Sequence, residues 1–157
     1  MSLYSILVLN GPNLGHLGQR QPQIYGHRSM QDLPDMIHTW LGQAWADSLS
    51  LTMDQKNGEG ELIDRLEQAR QDKIQGIVFN AGAYTHTSLA LADCLAWIDI
   101  PCIEVHLSNV WARQESLRHT SLIAAQCIGV VAGFGLMSYV MAILAMGEYL
   151  HNPSTTA

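Results

Sequence analysis

Three polar stretches concentrate the side chains able to do chemistry. Asn10–Gly26, NGPNLGHLGQRQPQIYG, carries two amides (Asn10, Asn13), an imidazole (His16), a guanidinium (Arg20) and a phenol (Tyr25). Asn80–Ser88, NAGAYTHTS, adds Asn80, His86 and a run of hydroxyls, and Glu104–Asn109, EVHLSN, adds Glu104, His106, Ser108 and Asn109. Imidazoles and carboxylates can move protons, while amides, hydroxyls and a guanidinium can hold a polar ligand. The first two stretches follow directly on the apolar runs Ile6–Leu9 and Gly76–Phe79, and the third begins within the run Cys102–Val105. Surface solvation alone does not require two histidines and three asparagines at the ends of such runs.

The first stretch holds four glycines and two prolines, which argue against a long helix and for a strand emptying into a long loop. Long loops in compact domains are functional or disordered, and the apolar strand anchors one end of this one. The expectation is a functional loop able to close over a ligand.

The elements that must position these groups alternate. Tyr4–Leu9, Leu49–Met53, Gly76–Phe79, Cys102–Val105 and Cys127–Ala132 read as strands. Between them, Leu33, Met36, Ile37, Trp40, Leu41, Ala44 and Trp45 follow helical spacing after a capping Ser29, with Asp32 and Pro34 suited to a first turn. Glu61–Gln71 reads as a short amphipathic helix, a third helix starts near Thr87 or Ser88 and runs to Trp97, and Leu136–Leu150 is the last. Ser108–Ser121 is irregular and polar, with room for a helical turn. Five alternations predict an α/β fold with a parallel sheet covered on both faces. Short continuous apolar runs suit parallel strands buried on both faces. The expected order is 2-1-3-4-5, the flavodoxin-like arrangement, whose ligand sits outside the carboxyl ends of the strands at the switch between strands 1 and 3.

The chain has 157 residues, 48% of them hydrophobic, and a formal charge of −6. That composition fits a single domain over residues 1–150 with a short tail from 151 to 157. Without a basic cluster, no nucleic-acid partner is expected. No apolar run is long enough to span a bilayer and the start lacks a basic n-region, so no membrane association and a cytoplasmic location are expected. Cys94, Cys102 and Cys127 form no C-x-x-C motif and read as buried thiols.

NGPNLGxLGxRxPxxYG, then EGELID (Glu59–Asp64), NAGAYTHTS and EVHLSN, in this order and spacing, closely resemble the type II 3-dehydroquinate dehydratases over nearly the whole chain. The resemblance implies a flavodoxin-like subunit, a homo-oligomer built as a trimer-based dodecamer, and a cofactor-free dehydration of 3-dehydroquinate with no metal. Such a reaction removes a proton alpha to a ketone and expels a beta-hydroxyl. The family's base is the loop tyrosine, here Tyr25. A free phenol, with a pKa of about 10, is a poor base at neutral pH, and a neighbouring guanidinium, matched by Arg20, favours the phenolate. His106 matches the general acid, with Glu104 able to orient it by accepting a ring N–H if the strand end bends. Asn13 matches the residue that helps stabilise the enolate. Asn80, Gly82 and His86 fall at substrate-gripping positions, and the Leu107 and Ser108 backbone with the Ser108 hydroxyl match the carboxylate site. Asp93 matches an acid that reaches a neighbouring subunit's site.

Arg118 matches the arginine that binds a substrate hydroxyl when counted back from Gly129 and Gly133. Counted forward from Arg113 the position falls on Leu117, and Arg113 is the fallback. Gln21 stands where the family usually has an acid, and Thr120 where it has a histidine. Taken singly, these residues have plain readings: turn chemistry for Asn10, helix capping for His86, a satisfied strand-end histidine for His106. Trp40, Trp45 and Trp97 read as helix packing, and Met137, Met141 and Met146 as core or interface filler. The competing functions are a flavin- or small-ligand-binding protein on the same fold, a metal-dependent hydrolase using His86, His106 and His119, and a non-catalytic interaction protein.

Overall fold

The computed structural model describes residues 4–19, 23 and 27–152. Five strands form one all-parallel sheet in the order β2-β1-β3-β4-β5: β1 Tyr4–Asn10, β2 Leu49–Gln55, β3 Gly76–Asn80, β4 Cys102–His106 and β5 Gly129–Ala132. The helices are α1 Leu33–Leu41, α2 Gln43–Ser48, α3 Glu59–Gln71, α4 Leu89–Ile98 and α5 Met137–His151.

Side-chain alternation along the strands builds two cores. Leu7, Leu9, Ile77 and Phe79 face Leu62 and Leu66 of α3 and Leu91 and Leu95 of α4. Ile6, Val8, Val78, Ile103 and Val105 face Leu33 and Ile37 of α1 and Val140 and Ile143 of α5. Each such fully buried aliphatic side chain contributes roughly 1.5–3 kcal/mol. The expectation of strands buried on both faces holds for β3 and β4 and for β1 from Ile6 onward, but not for the edges. In β2 and β5 no residue is fully buried, because an edge strand lacks a neighbour on one side.

Ser29 caps the entry to α1 as expected: its hydroxyl accepts from Gln31 N–H, and Asp32 Oδ2 accepts from Ser29 N–H at 2.7 Å. The helix read as continuous through Trp45 is broken at Gly42, which adopts φ 86°, ψ 165° and restarts the chain as α2. Trp45 packs its ring against Gly147 of α5, where a Cβ would come within 2.1 Å of it. Trp40 and Trp97, read as helix packing, are 64% and 60% exposed. Trp97 instead lies under the Arg70 guanidinium, 5.2 Å from its ring centre. Met146 is buried in the α5 core, whereas Met141 is exposed. Cys94 and Cys102 are buried free thiols; Cys127 is only half-buried. β5 begins at Gly129 rather than Cys127, because a 3-10 turn over Ala124–Gln126 occupies the chain just before it. No helix among the described residues is long and apolar enough to cross a membrane.

Candidate active site

The carboxyl ends of β1, β3 and β4 open on a cleft of about 230 Å³. The β1 loop contributes Pro12, Asn13, Leu14 and Leu17, and the β3 loop contributes Asn80, Gly82, Ala83 and His86. The β4 end and the segment after it contribute His106, Leu107, Ser108, Val110, Arg113 and Arg118. Eight of the residues singled out in the sequence therefore converge here: Asn13, Asn80, Gly82, His86, His106, Leu107, Ser108 and Arg118. Arg20, Gln21 and Tyr25 lie outside the described residues. Asp93 is exposed on α4 and does not line the cleft.

Glu104 and His106 are the deepest ionisable pair. They stand two positions apart on β4, so they share one sheet face with no bend in the strand, and the bend allowed for in the sequence reading is not needed. His106 Nε2 donates to Glu104 Oε1 at 2.6 Å, with Glu104 2% and His106 5% exposed. The second carboxylate oxygen accepts from Ser121 Oγ at 2.8 Å. A buried carboxylate is tolerated only when its oxygens are bonded, and Ser121, which the sequence marks only as the end of an irregular polar segment, supplies that second bond. With Nε2 committed to Glu104, Nδ1 is the His106 nitrogen left for the cleft.

His86 is held differently. Its Nδ1 lies 2.7 Å from the Thr120 carbonyl, which can only accept, so Nδ1 carries the proton and Nε2 is the free position. The plain reading of His86 as a helix cap fails, because Ser88 caps α4 by accepting from Leu91 N–H at 3.0 Å. The two imidazoles stack at 6.4 Å between ring centres.

Backbone geometry shapes the β1 loop. Gly11 N–H donates to Asn80 O at 2.7 Å, and a Cβ on Gly11 would stand 2.5 Å from Ala81 O, so only glycine permits this approach. Asn13 sits in the left-handed region at φ 68°, its N–H donating to Asn57 Oδ1 at 3.3 Å. Gln55 Nε2 donates both to Gly11 O and to Asn57 Oδ1, tying the end of β2 to the loop. Gly82 also has a positive φ, 60°, and donates its N–H to Asn80 Oδ1 at 3.1 Å.

Both candidate arginines reach the cleft. Arg113 Nη2 donates to Ser108 Oγ at 3.1 Å, and Arg118 Nε lies 3.6 Å from Glu115 Oε2. Two guanidiniums and two imidazoles make the rim suited to an anion although the chain is acidic overall. His119 does not join the two cleft histidines; its Nε2 donates to Arg113 O at 2.7 Å. Among the described residues no group of three His, Cys, Asp or Glu side chains could hold a metal ion. Sequence reasoning also missed Tyr139 of α5, a fully buried phenol hydrogen-bonded to both Asn10 and Asn80. It stands among helical core positions, and nothing local marks it as different.

Fold and site together define a flavodoxin-like α/β protein with a buried Glu–His pair beside a cleft at the carboxyl edge of the sheet. The family model for dehydroquinase class II matches residues 4–147. A 3-dehydroquinate dehydratase of Exiguobacterium sp. is 48% identical over 147 residues, covering 94% of this chain and 97% of that protein. One from Synechococcus sp. is 48% identical over 92% of this chain and 96% of its own length. The type II dehydroquinase structure from Butyrivibrio crossotus superposes with a TM-score of 0.83 at 41% identity, over 92% of this chain and 98% of that one. The chain belongs to the class II dehydroquinase family. The alternative of a flavin-binding protein without dehydratase activity is not favoured by these relatives.

Proposed function

We propose that this protein dehydrates 3-dehydroquinate to 3-dehydroshikimate through an enolate, as a hydro-lyase of the shikimate pathway. The observation that carries the reading is the buried Glu104–His106 pair opening on a cleft rimmed by Arg113 and Arg118. It agrees with the activity named for the relatives at 48% identity.

In this reading Tyr25, made more acidic by the Arg20 guanidinium, takes the proton alpha to the ketone. Asn13, at the mouth of the β1 loop, helps hold the enolate that forms. His106 then delivers the Nδ1 proton to the beta-hydroxyl, which leaves as water, while Glu104 holds the imidazolium through Nε2. No electron is gained or lost, and no cofactor is required. The substrate carboxylate lies against Leu107 and Ser108, with His86 beside it. Asn80, Gly82 and Arg118 bind the ring hydroxyls. The reading extends to a cytoplasmic homo-oligomer, a trimer-based dodecamer in which Asp93 reaches a neighbouring copy's cleft. It also takes residues 1–150 as one catalytic domain and 151–157 as a tail.

The test is enone formation, followed by ultraviolet absorbance on adding 3-dehydroquinate to the purified protein without any cofactor. Turnover by the wild type, with most of the rate lost in Tyr25→Phe, is the expected result. A folded wild type that forms no enone overturns the reading. Light scattering decides the assembly.

A further inference from the structure

We propose that Tyr139, reaching the carboxyl edge of the sheet from α5, is a positioning residue that sets the Asn80 amide for substrate. The proposal rests on the dehydratase reading above and on Asn80 as a substrate contact.

Asn10 and Asn80 end neighbouring strands and are partners in the parallel register. Alternation puts both on the face that carries Ile6, Val8 and Val78, which is the face α5 covers. Tyr139 is fully buried there, and its hydroxyl joins the two amides. It donates to Asn10 Oδ1 at 2.6 Å and accepts from Asn80 Nδ2 at 2.9 Å. Its neighbours on α5, including Val140, Ala142 and Ile143, belong to the same apolar cluster. A phenylalanine ring would meet that packing equally well, so the oxygen serves the two amides.

The order of donors decides which way Asn80 points. Its Nδ2 faces the phenol and its Oδ1 accepts from Gly82 N–H at 3.1 Å. The reverse orientation would turn Nδ2 toward another N–H donor and leave both without an acceptor. One Nδ2 hydrogen and one Oδ1 lone pair remain, and Asn80 lines the cleft. Burial pushes the Tyr139 phenol far above its ordinary pKa, so it stays a neutral donor throughout the working pH range.

The experiment compares steady-state dehydration by the wild type, Tyr139→Phe, Asn80→Ala and the double variant, with thermal unfolding alongside. Tyr139→Phe removes both hydrogen bonds and leaves the Asn80 amide unset. It is expected to raise KM about three- to tenfold, the effect of about one weakened hydrogen bond to substrate, with kcat within about twofold. In the Asn80→Ala background the same change is expected to add nothing to KM. An unchanged KM with a lowered Tm overturns the proposal, since a packing role would give that. Effects that multiply in the double variant overturn it too, because Tyr139 would then act by another route. If Tyr139→Phe does not fold, Asn10→Leu removes the acceptor of the same hydroxyl, and a KM left unchanged by it counts against the proposal. Should the wild type not turn over 3-dehydroquinate, the parent reading fails separately. A crystal structure of Tyr139→Phe then decides: a reoriented Asn80 amide supports the positioning role, and an unmoved one refutes it.

Discussion

Glu104 and His106, two positions apart on one fully buried strand, share a 2.6 Å hydrogen bond that commits the imidazole's Nε2 and leaves Nδ1 to the cleft. The strand's own pleat places them side by side. The pair owes its geometry to a fully buried strand, as Asn80 does, while Asn13, Gly82, His86 and the arginines come from the segments that follow the strands.

Replacing Glu104 by glutamine keeps an acceptor for His106 Nε2 but removes the negative charge that favours the imidazolium. We expect kcat to fall by about 10²-fold, the low end of what general acid–base catalysis supplies, with KM changed little. Steady-state kinetics on 3-dehydroquinate check this; a kcat within a factor of three of wild type would remove Glu104 from the mechanism.

Arg118 and Arg113 both border the cleft, but Arg113 also serves Ser108 Oγ. Arg118→Ala is expected to raise KM by about tenfold or more through loss of a charged hydrogen bond to substrate. If instead only Arg113→Ala raises KM, the fallback assignment in the sequence was the right one.

Two glycine-to-alanine changes separate site from scaffold. A Cβ on Gly11 would collide with the Ala81 backbone beside the cleft, whereas one on Gly147 would collide with the Trp45 ring far along α5. Each is expected to cost roughly 1–3 kcal/mol, lowering Tm by about 2–4 °C per kcal/mol. Only Gly11→Ala should raise KM as well. Thermal melts with matched kinetics measure both.

Alkylation should distinguish the cysteines. Burial, and secondarily Glu67, push the Cys94 thiol up to about 11, so it holds its proton at neutral pH and stays a poor nucleophile. The hydrogen bond with Cys127, and then burial, raise Cys102 as well. Iodoacetamide on the native protein should leave both unmodified, and denaturant should expose all three. Peptide mass mapping reads the outcome.

Most of the fold was legible because apolar runs and caps are local signals. Ser29 announced one helix and the Thr87-Ser88 pair another, of which Ser88 is the cap, and the short runs before Asn80 and His106 announced the central strands. The edges were less legible, since β2 and β5 owe their exposure to lacking a neighbour, a fact of sheet order. Gly42 breaks a helical pattern that looked continuous because the apolar spacing survives across it. Trp40 and Trp97 read as helix packing, yet both are exposed and Arg70 stacks on Trp97. In the site, residues clustered within loops could be read directly. Ser121 and Tyr139 could not, because each acts on a strand-end residue from a segment distant in sequence.

The cleft is assembled from parts of unequal permanence. Asn10, Asn80 and His106 end strands, and Glu104 lies within one, whose backbone amides are paired and buried, so they are released only when the sheet itself comes apart. The 3-10 turn at Leu14–His16 has no buried residue to hold it. Amide exchange in the native state should therefore divide the site in two. The Glu104–His106 strand and the Asn80 end would be protected to the level of global unfolding, and the turn beyond Asn13 would exchange through small local openings. Substrate can then enter without disturbing the groups that must already be in register when it arrives.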